Sequence, residues 1–170
     1  MVSSRRMLMV TALSIAVAAA GCADEAGENS SHARGSEGVV GAITVQNAYL
    51  VPDVEAGTCV VQHDGPAELS FTATNRGDVA DRLTKIETDA AASVQLPGEP
   101  EKLVVAAGGG LAAGQPIEQP DASEPIAVRV RQLEEWVQPG RNVDMRFTFE
   151  NAGTLDLAVP VDACPTQQTP

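Results

Sequence analysis

The stretch that decides the fold runs from Asn142 to Val161 and reads NVDMRFTFENAGTLDLAVPV. Apolar and polar residues alternate on both sides of Asn151-Ala152-Gly153, and such alternation places the apolar side chains on one face of a strand. Asn and Gly are residues that turns favour. The stretch therefore predicts an antiparallel hairpin with one buried face, and it places Met145 in the core.

The same alternation recurs in four earlier segments, AITVQNAYLV, AELSFTATN, RLTKIET and IAVRVRQL, at residues 42–51, 67–75, 82–88 and 126–133. In the last segment, Arg129 and Arg131 fall on the face opposite Val128 and Val130. Short alternating runs separated by Gly, Asn, Asp and Pro are typical of an antiparallel sandwich with one wet face per sheet. The sequence thus predicts an all-β fold. A short helical piece is expected only around residues 89–92, and the Gly- and Pro-rich segments 106–116 and 118–125 are predicted to be loops.

Residues 1–21 have the features of an export signal. Arg5 and Arg6 precede an apolar run that is shorter than the roughly 20 residues of a membrane-spanning helix. The run ends in small residues, and the Ala-Ala-Gly-Cys ending at Cys22 resembles a bacterial lipobox, in which the cysteine is acylated. The sequence therefore predicts a lipoprotein that is anchored through Cys22 at the extracytoplasmic face of the cell membrane. An ordinary signal peptide with a chance cysteine is the alternative, and the choice between the general and the twin-arginine export route stays open.

Composition divides the rest of the chain into three parts. Residues 22–38 are polar and rich in Gly, Ser and Glu, which predicts a flexible tether. Residues 39–165 carry the strand pattern and form the predicted sandwich domain. Residues 166–170 form a tail that is expected to fray.

The chain is acidic, with 23 acidic against 11 basic residues and a formal net charge of −12. This charge argues against nucleic acid and anionic lipid headgroups as partners. The predicted contact with the membrane is therefore through the lipid on Cys22 alone.

Two cysteines, Cys59 and Cys164, remain besides Cys22. Outside the cytoplasmic membrane such a pair usually oxidises, so a structural Cys59–Cys164 disulfide is predicted. A thiol metal site and an intermolecular bridge are the alternatives. The spacing is far from C-x-x-C and carries no metal signature.

Two long segments together suggest a family. AELSFTATNRGDVADRLTKIETDAAASVQL and IAVRVRQLEEWVQPGRNVDMRFTFENAGTLDLAVPV contain T-N-x-G, D-R-L and F-x-F-x-x-A-G elements in order. Over residues 42–161 the chain resembles the PCu(A)C periplasmic copper chaperones, and most closely their actinobacterial LpqE-like lipoprotein branch. The resemblance implies a cupredoxin-like β-sandwich that binds Cu(I) through two histidines and two methionines, ligands suited to that ion.

The residues at the implied ligand positions do not fit copper. The resemblance puts the first histidine near Gln95–Pro97, methionines within LVVAAGGG (residues 103–110), and a closing H-x-M at Ala127 and Arg129. None of these residues is a histidine or a methionine. We therefore expect the usual copper site to be absent, and no cofactor to be bound.

Other candidate sites have simpler explanations. Arg76-Gly77-Asp78 is interpreted as a hairpin turn between strands and not as an adhesion signal. His63 follows Cys59 by four positions and could join an atypical metal site, although an exposed turn histidine is the plainer interpretation. Acidic residues at 78, 81, 87 and 89 do not have calcium-loop spacing, and Arg82 is expected to pair among them.

Motifs for catalysis are missing. There is no G-x-S-x-G motif, and the glycine-rich segment lacks the lysine of a phosphate-binding loop. The sequence therefore predicts a protein that is not an enzyme.

One surface is a candidate for binding. Arg129 and Arg131 lie on one strand face, close in sequence to Trp136, and arginine and tryptophan are frequent anchors of interfaces. The plainer interpretation is that Trp136 caps the core at one end of the sandwich and that the arginines pair with acidic neighbours. The predicted function is a lipid-anchored cell-envelope binding or interaction protein, with an envelope protein or a small ligand as its partner. The alternative is an extracytoplasmic copper chaperone or metal carrier with atypical ligands such as His63.

Overall fold

The computed structural model describes residues 35–55, 58–114 and 125–162. The predicted signal peptide (1–21) and tail (166–170) lie outside these ranges, as do Cys22 and Cys164. The described strands are β1 (Ser36–Val40), β2 (Ile43–Val51), β3 (Pro66–Asn75), β4 (Asp81–Thr88), β5 (Ala91–Gln95), β6 (Val104–Val105), β7 (Gly110–Ala113), β8 (Arg129–Leu133), β9 (Asn142–Phe149) and β10 (Gly153–Pro160). A 3₁₀ turn at Pro100–Leu103 accompanies them.

The strands form two antiparallel sheets. The first has the order β1-β2-β3-β8-β5, and β7 also pairs with β3. The second has the order β10-β9-β4-β6. Strands β7 and β8 share one edge of β3, because Pro66–Glu68 pair with β8 while Phe71–Thr74 pair with β7. The predicted all-β antiparallel sandwich is therefore confirmed.

The core lies between the sheets and is built from the alternating apolar residues. Phe71 of β3 and Phe147 of β9 are fully buried and meet edge to face, with 5.3 Å between ring centroids. Met145 is buried beside them on β9, as predicted. Phe149 is the third buried phenylalanine, and the rest of the core is filled with aliphatic side chains.

The predicted hairpin of β9 and β10 is confirmed. Strands β9 and β10 pair from Phe149↔Gly153 to Asn142↔Pro160 without a register shift. Gly153 has φ +95°, a conformation that suits a residue without a Cβ, so the turn needs glycine at this position.

Strand β4 has an irregular burial pattern with a local cause. Leu83 and Ile86 are both buried although they are three residues apart. The pairing with β9 shifts register between Leu83 and Lys85, as at a β-bulge, and the side chain of Ile86 therefore points into the core again.

Four details differ from the sequence-based expectations. Strand β1 begins at Ser36, within the predicted tether, because an edge strand needs backbone pairing with β2 and not a buried face. Residues 91–95 are a strand and not a helix, because they pair with β8. Residues 110–113 of the predicted glycine-rich loop are β7, whose hydrogen bonds come from β3. The turn after Asn75 links the two sheets and does not close a hairpin, since β3 and β4 belong to different sheets.

The described part of the chain contains no helix that is long and apolar enough to cross a membrane.

Candidate functional site

The first candidate surface is the outer face of β8. Val128 and Val130 are buried, whereas Arg129 and Arg131 are exposed, as their alternation predicted. Gln132 has φ +55°, which is unusual for a residue with a side chain and interrupts the alternation. Leu133 consequently points back into the core, and the row of exposed arginines on β8 ends at Arg131.

Strand pairing places each arginine in a row of three exposed residues. Arg129 lies between Glu68 of β3 and Gln95 of β5. Arg131 lies between Pro66 and Ser93 of the same strands. Residues that pair directly point to the same side of a sheet, so both rows share one surface. We call this surface the arginine face.

One contact organises the arginine face. Arg131 donates a hydrogen bond from Nε to Oε1 of Gln95, at 2.8 Å. Gln95 was predicted to stand near an empty ligand position, but its role as an arginine partner was not predicted. The cross-strand register that brings the two together cannot be seen in the sequence, since they are 36 positions apart.

Neither arginine of this face has an acidic partner within the described ranges. The ion pairs there are Arg82–Glu150, Lys85–Glu87, Lys102–Glu99 and Arg146–Asp156. Glu68 is next to Arg129 in register, yet the two do not form an ion pair. Among the described residues, the two arginines of this face therefore form no ion pair.

Trp136 lies beyond β8, in the connection to β9, and is 42% exposed. Its neighbour Val137 is fully buried and anchors this connection to the core. Strand pairing brings Arg129 and Arg131 together on one face, whereas Trp136 follows after the strand has ended. The proposed three-residue surface thus consists of a strand face and a loop residue.

The ligand positions implied by the family resemblance also meet at this sheet. Gln95, in the region of the first implied histidine, pairs directly with Arg129, in the place of the last methionine. The positions implied for the first histidine and for the last methionine are thus neighbours on paired strands. They are occupied by the amide of Gln95 and the guanidinium of Arg129. Within the described residues, no group of three or more His, Cys, Asp or Glu side chains is arranged to hold a metal ion.

His63 lies in a separate groove at the end of β8. Its backbone carbonyl accepts a hydrogen bond from the N–H of Leu133, at 2.9 Å, and its Nε2 is 3.3 Å from the carbonyl oxygen of Val137. A neutral ring that donates from Nε2 has Nδ1 left as an acceptor. The ring is half-buried, so it is not the fully exposed turn histidine that was expected.

The groove has a volume of about 460 Å³ and lies between two chain segments. It is lined by Cys59, Val60, Val61, His63, Val137, Gln138 and Pro139. Cys59 is disulfide-bonded, and Cys164 lies outside the described residues, so the Cys59–Cys164 pairing stays a prediction. As a disulfide, Cys59 has no thiolate to offer a metal ion.

A larger, acidic groove of about 610 Å³ lies at the outer side of the second sheet. Glu87, Asp89, Asp144 and Asp156 line it together with Arg146. Arg146 holds Asp156 through two hydrogen bonds, Nε–Oδ1 at 2.7 Å and a terminal nitrogen to Oδ2 at 3.1 Å. The hydrogen bond from Arg146 lowers the pKa of Asp156, which therefore stays ionised in mild acid.

The predicted acidic cluster is divided by the fold. Glu87 and Asp89 line the acidic groove, whereas Asp78 is exposed in the connection between β3 and β4. Arg82 pairs with Glu150, with 3.5 Å between nitrogen and oxygen, and not within the cluster as expected. The bulge in β4 and the pairing with β9 decide this partner, and neither is visible in the sequence.

Asp81, the remaining member of the predicted acidic cluster, has a structural role that sequence reasoning missed. Its side chain is buried, and its carboxylate accepts backbone hydrogen bonds from Arg82 and Asn151 at Oδ1 and from Ala152 at Oδ2. Burial acts to raise the pKa of Asp81, but the hydrogen bonds from Asn151, Arg82 and Ala152 together hold it below the ordinary value. Asp81 thus fastens the β9–β10 turn to the start of β4.

The fold identifies the class of domain to which this chain is similar. Among solved structures, the chain is similar to the copper-bound PCuAC domain from PmoF2, with a TM-score of 0.58 and 20% identity over 76% of this chain and 99% of that domain. The apo PCuAC domain from PmoF1 matches with a TM-score of 0.58 and 17% identity, over 76% of this chain and all (100%) of that domain. The chain therefore has the cupredoxin-like fold of PCuAC domains.

The family model named LpqE-like, described as a lipoprotein family, matches residues 43–161. The chain belongs to the LpqE-like family, as the sequence resemblance had predicted. A comparison with curated proteins finds no match.

Proposed function

We propose that this chain is a lipid-anchored binding protein of the cell envelope that uses a PCuAC-type sandwich without the family's copper ligands. Membership of the LpqE-like family and the Cys22 motif support the anchor on the extracytoplasmic face of the membrane. The partner is an envelope protein or a small ligand, and the protein is not an enzyme.

The observation that carries this proposal is the pairing of Gln95 with Arg129 at the implied ligand positions. A guanidinium is always charged at physiological pH and cannot coordinate a cation. Placed beside an implied ligand position, it repels Cu(I) and favours a negatively charged or polar partner. The binding surface consists of Arg129 and Arg131, with Trp136 as the exposed aromatic side chain that follows β8 in the chain.

One observation favours a second function, that of a copper carrier with atypical ligands. Cys59 and His63 line the same groove, and Nδ1 of His63 is an available acceptor. Reduction of the disulfide would free the Cys59 thiolate, and thiolate and imidazole together suit copper. The copper-bound state of the similar PmoF2 domain adds weight to this alternative.

Titration of the purified protein with Cu(I) against a competing chelator separates the two functions. The protein is measured oxidised and after reduction, with the disulfide state checked by mass spectrometry. We expect no binding beyond that of the chelator in either state. Tight one-to-one binding that is lost in His63→Ala would instead establish the copper carrier and refute the binding-protein proposal.

Photo-crosslinking in cell envelopes then tests the binding surface itself. A photoreactive residue in place of Gln132, which is exposed between the arginines and Trp136, should capture a partner. Capture should fall in Arg129→Ala and in Trp136→Ala. Arg76→Ala is the matched control, since Arg76 is an exposed arginine in the connection between the two sheets.

A further inference from the structure

The arginine face has a geometry that suits a particular chemical group. Alternate residues on one face of a strand are about 6.6 Å apart. Arg129 and Arg131 are such a pair, and both are exposed. Their flexible side chains can therefore converge on one small group above the strand.

Gln95 positions the guanidinium group of Arg131. Because the Nε–H of Arg131 is already bonded to Gln95 Oε1, the side chain is held over β5. Its two terminal nitrogens, each with two N–H donors, are left for a ligand. A planar guanidinium with parallel donors matches the oxygens of a carboxylate or a phosphate.

The surrounding charge limits the size of the anion. The chain as a whole carries a formal charge of −12, and Glu68 stands beside Arg129 in the same row. A polyanion laid across this surface would meet Glu68 and the acidic remainder of the domain. A single oxyanion group between the two arginines meets only Glu68 in these two rows, because exposed charges beyond about 8 Å are largely screened at physiological salt.

We propose that Arg129 and Arg131 together bind one oxyanion group, a carboxylate or a phosphate, of the ligand, with Gln95 as the residue that positions Arg131. This proposal deepens the proposed function, since it assigns a chemical class to the ligand of the same face. It makes the site of this chain selective for an anion.

The test is an NMR titration of the purified, isotope-labelled protein with inorganic phosphate and, separately, with acetate at constant ionic strength. We expect saturable shifts of the Nε–H signals of Arg129 and Arg131 and of the Gln95 side-chain amide. Loss of one charge-assisted contact should weaken binding about tenfold in Arg129→Gln and in Arg131→Gln. Stronger binding of phosphate than of acetate would assign a phosphate group, and the reverse order a carboxylate.

The control is Arg76→Gln, which removes an exposed arginine from the connection between the sheets and should leave the affinity unchanged. Arg131→Lys should recover part of the affinity lost in Arg131→Gln. Shifts that do not saturate, or that are equal at all arginines and persist in the Arg129→Gln, Arg131→Gln double variant, would overturn the proposal. A variant is compared only after its amide spectrum shows the native fold.

The two proposals can fail separately. If envelope crosslinking depends on Arg129 while neither anion binds, the oxyanion inference is wrong and the binding surface stands. If phosphate or acetate binds while crosslinking is insensitive to Arg129→Ala, the oxyanion site stands and the proposed partner surface is wrong.

Discussion

Replacing Asp81 by Asn should destabilise the protein far more than a surface substitution does. Asp81 is 7% exposed, and its carboxylate accepts three backbone hydrogen bonds, at 2.7 Å from Arg82, 2.9 Å from Asn151 and 2.8 Å from Ala152. In Asp81→Asn one oxygen becomes an NH₂ group, which is a donor. One backbone N–H then loses its acceptor, and the remaining bonds lose their charge assistance.

The expected size follows from these contacts. Leaving a buried donor unsatisfied costs about 1–3 kcal/mol, and weakening the other bonds adds to this, so the free energy of unfolding should fall by about 2–4 kcal/mol. That is a large part of the roughly 5–15 kcal/mol that stabilises a typical domain. Urea unfolding followed by circular dichroism and by the fluorescence of Trp136, the single tryptophan, measures the difference.

The matched control is Asp78→Asn, which makes the same chemical change at an exposed position in the connection that leads into β4. It should change the free energy of unfolding by no more than about 0.5 kcal/mol. If Asp81→Asn were no more destabilising than Asp78→Asn, the carboxylate would not be fastening the β9–β10 turn and the reasoning would be wrong.

The pH dependence gives the same prediction a second readout. The pKa of Asp81 is lower in the folded protein than its ordinary value of 3.8, so its contribution to stability is fully present above that value. It is lost as the pH falls through the lower, folded pKa. The difference in stability between the wild type and Asp81→Asn should therefore be constant near neutral pH and shrink below about pH 4.

Three further predictions concern the core and the cysteines. Phe147→Ala removes the edge-to-face contact with Phe71 and should lower the free energy of unfolding by about 3–5 kcal/mol in the same urea assay, and a small effect would show that the site is not a packed core. Cys59→Ser should lower the free energy of unfolding by about 2–5 kcal/mol and leave the thiol of Cys164 open to alkylation. If Cys59 stayed oxidised in Cys164→Ser, the predicted pairing would be wrong. Cys22→Ser should move the protein from the membrane fraction to the soluble fraction, and its retention in membranes would contradict the lipid anchor.

Local alternation explains how much of the fold was predictable. The strands that bury one face, such as β3, β8 and β9, carry a period-two pattern that is set by burial and can be recognised in sequence. Strand β7 was missed because its residues are mostly Gly and Ala, which carry no such pattern. Its structure depends on hydrogen bonds to β3, and pairing between distant segments leaves no local trace.

The candidate site was predictable to a similar degree. The exposure of Arg129 and Arg131 followed from their parity relative to Val128 and Val130, and it is confirmed. The hydrogen bond from Arg131 to Gln95 and the clamp at Asp81 depend on register and on a turn from another part of the chain. Only the assembled sheets bring those groups within reach.

Strand β1 gives the domain an unusual mechanical attachment. It pairs with β2 in the first sheet, while Gly38 lies so close to Leu155 and Leu157 of β10 that a Cβ there would be 2.6 Å from a Leu157 methyl group. The Ser36 hydroxyl also donates to the carbonyl of Ala158. Because β1 contains the end of the predicted tether, tension from a membrane anchor would enter through this strand. Such a pull would act on both sheets at once, through the pairing of β1 with β2 and its contacts with β10.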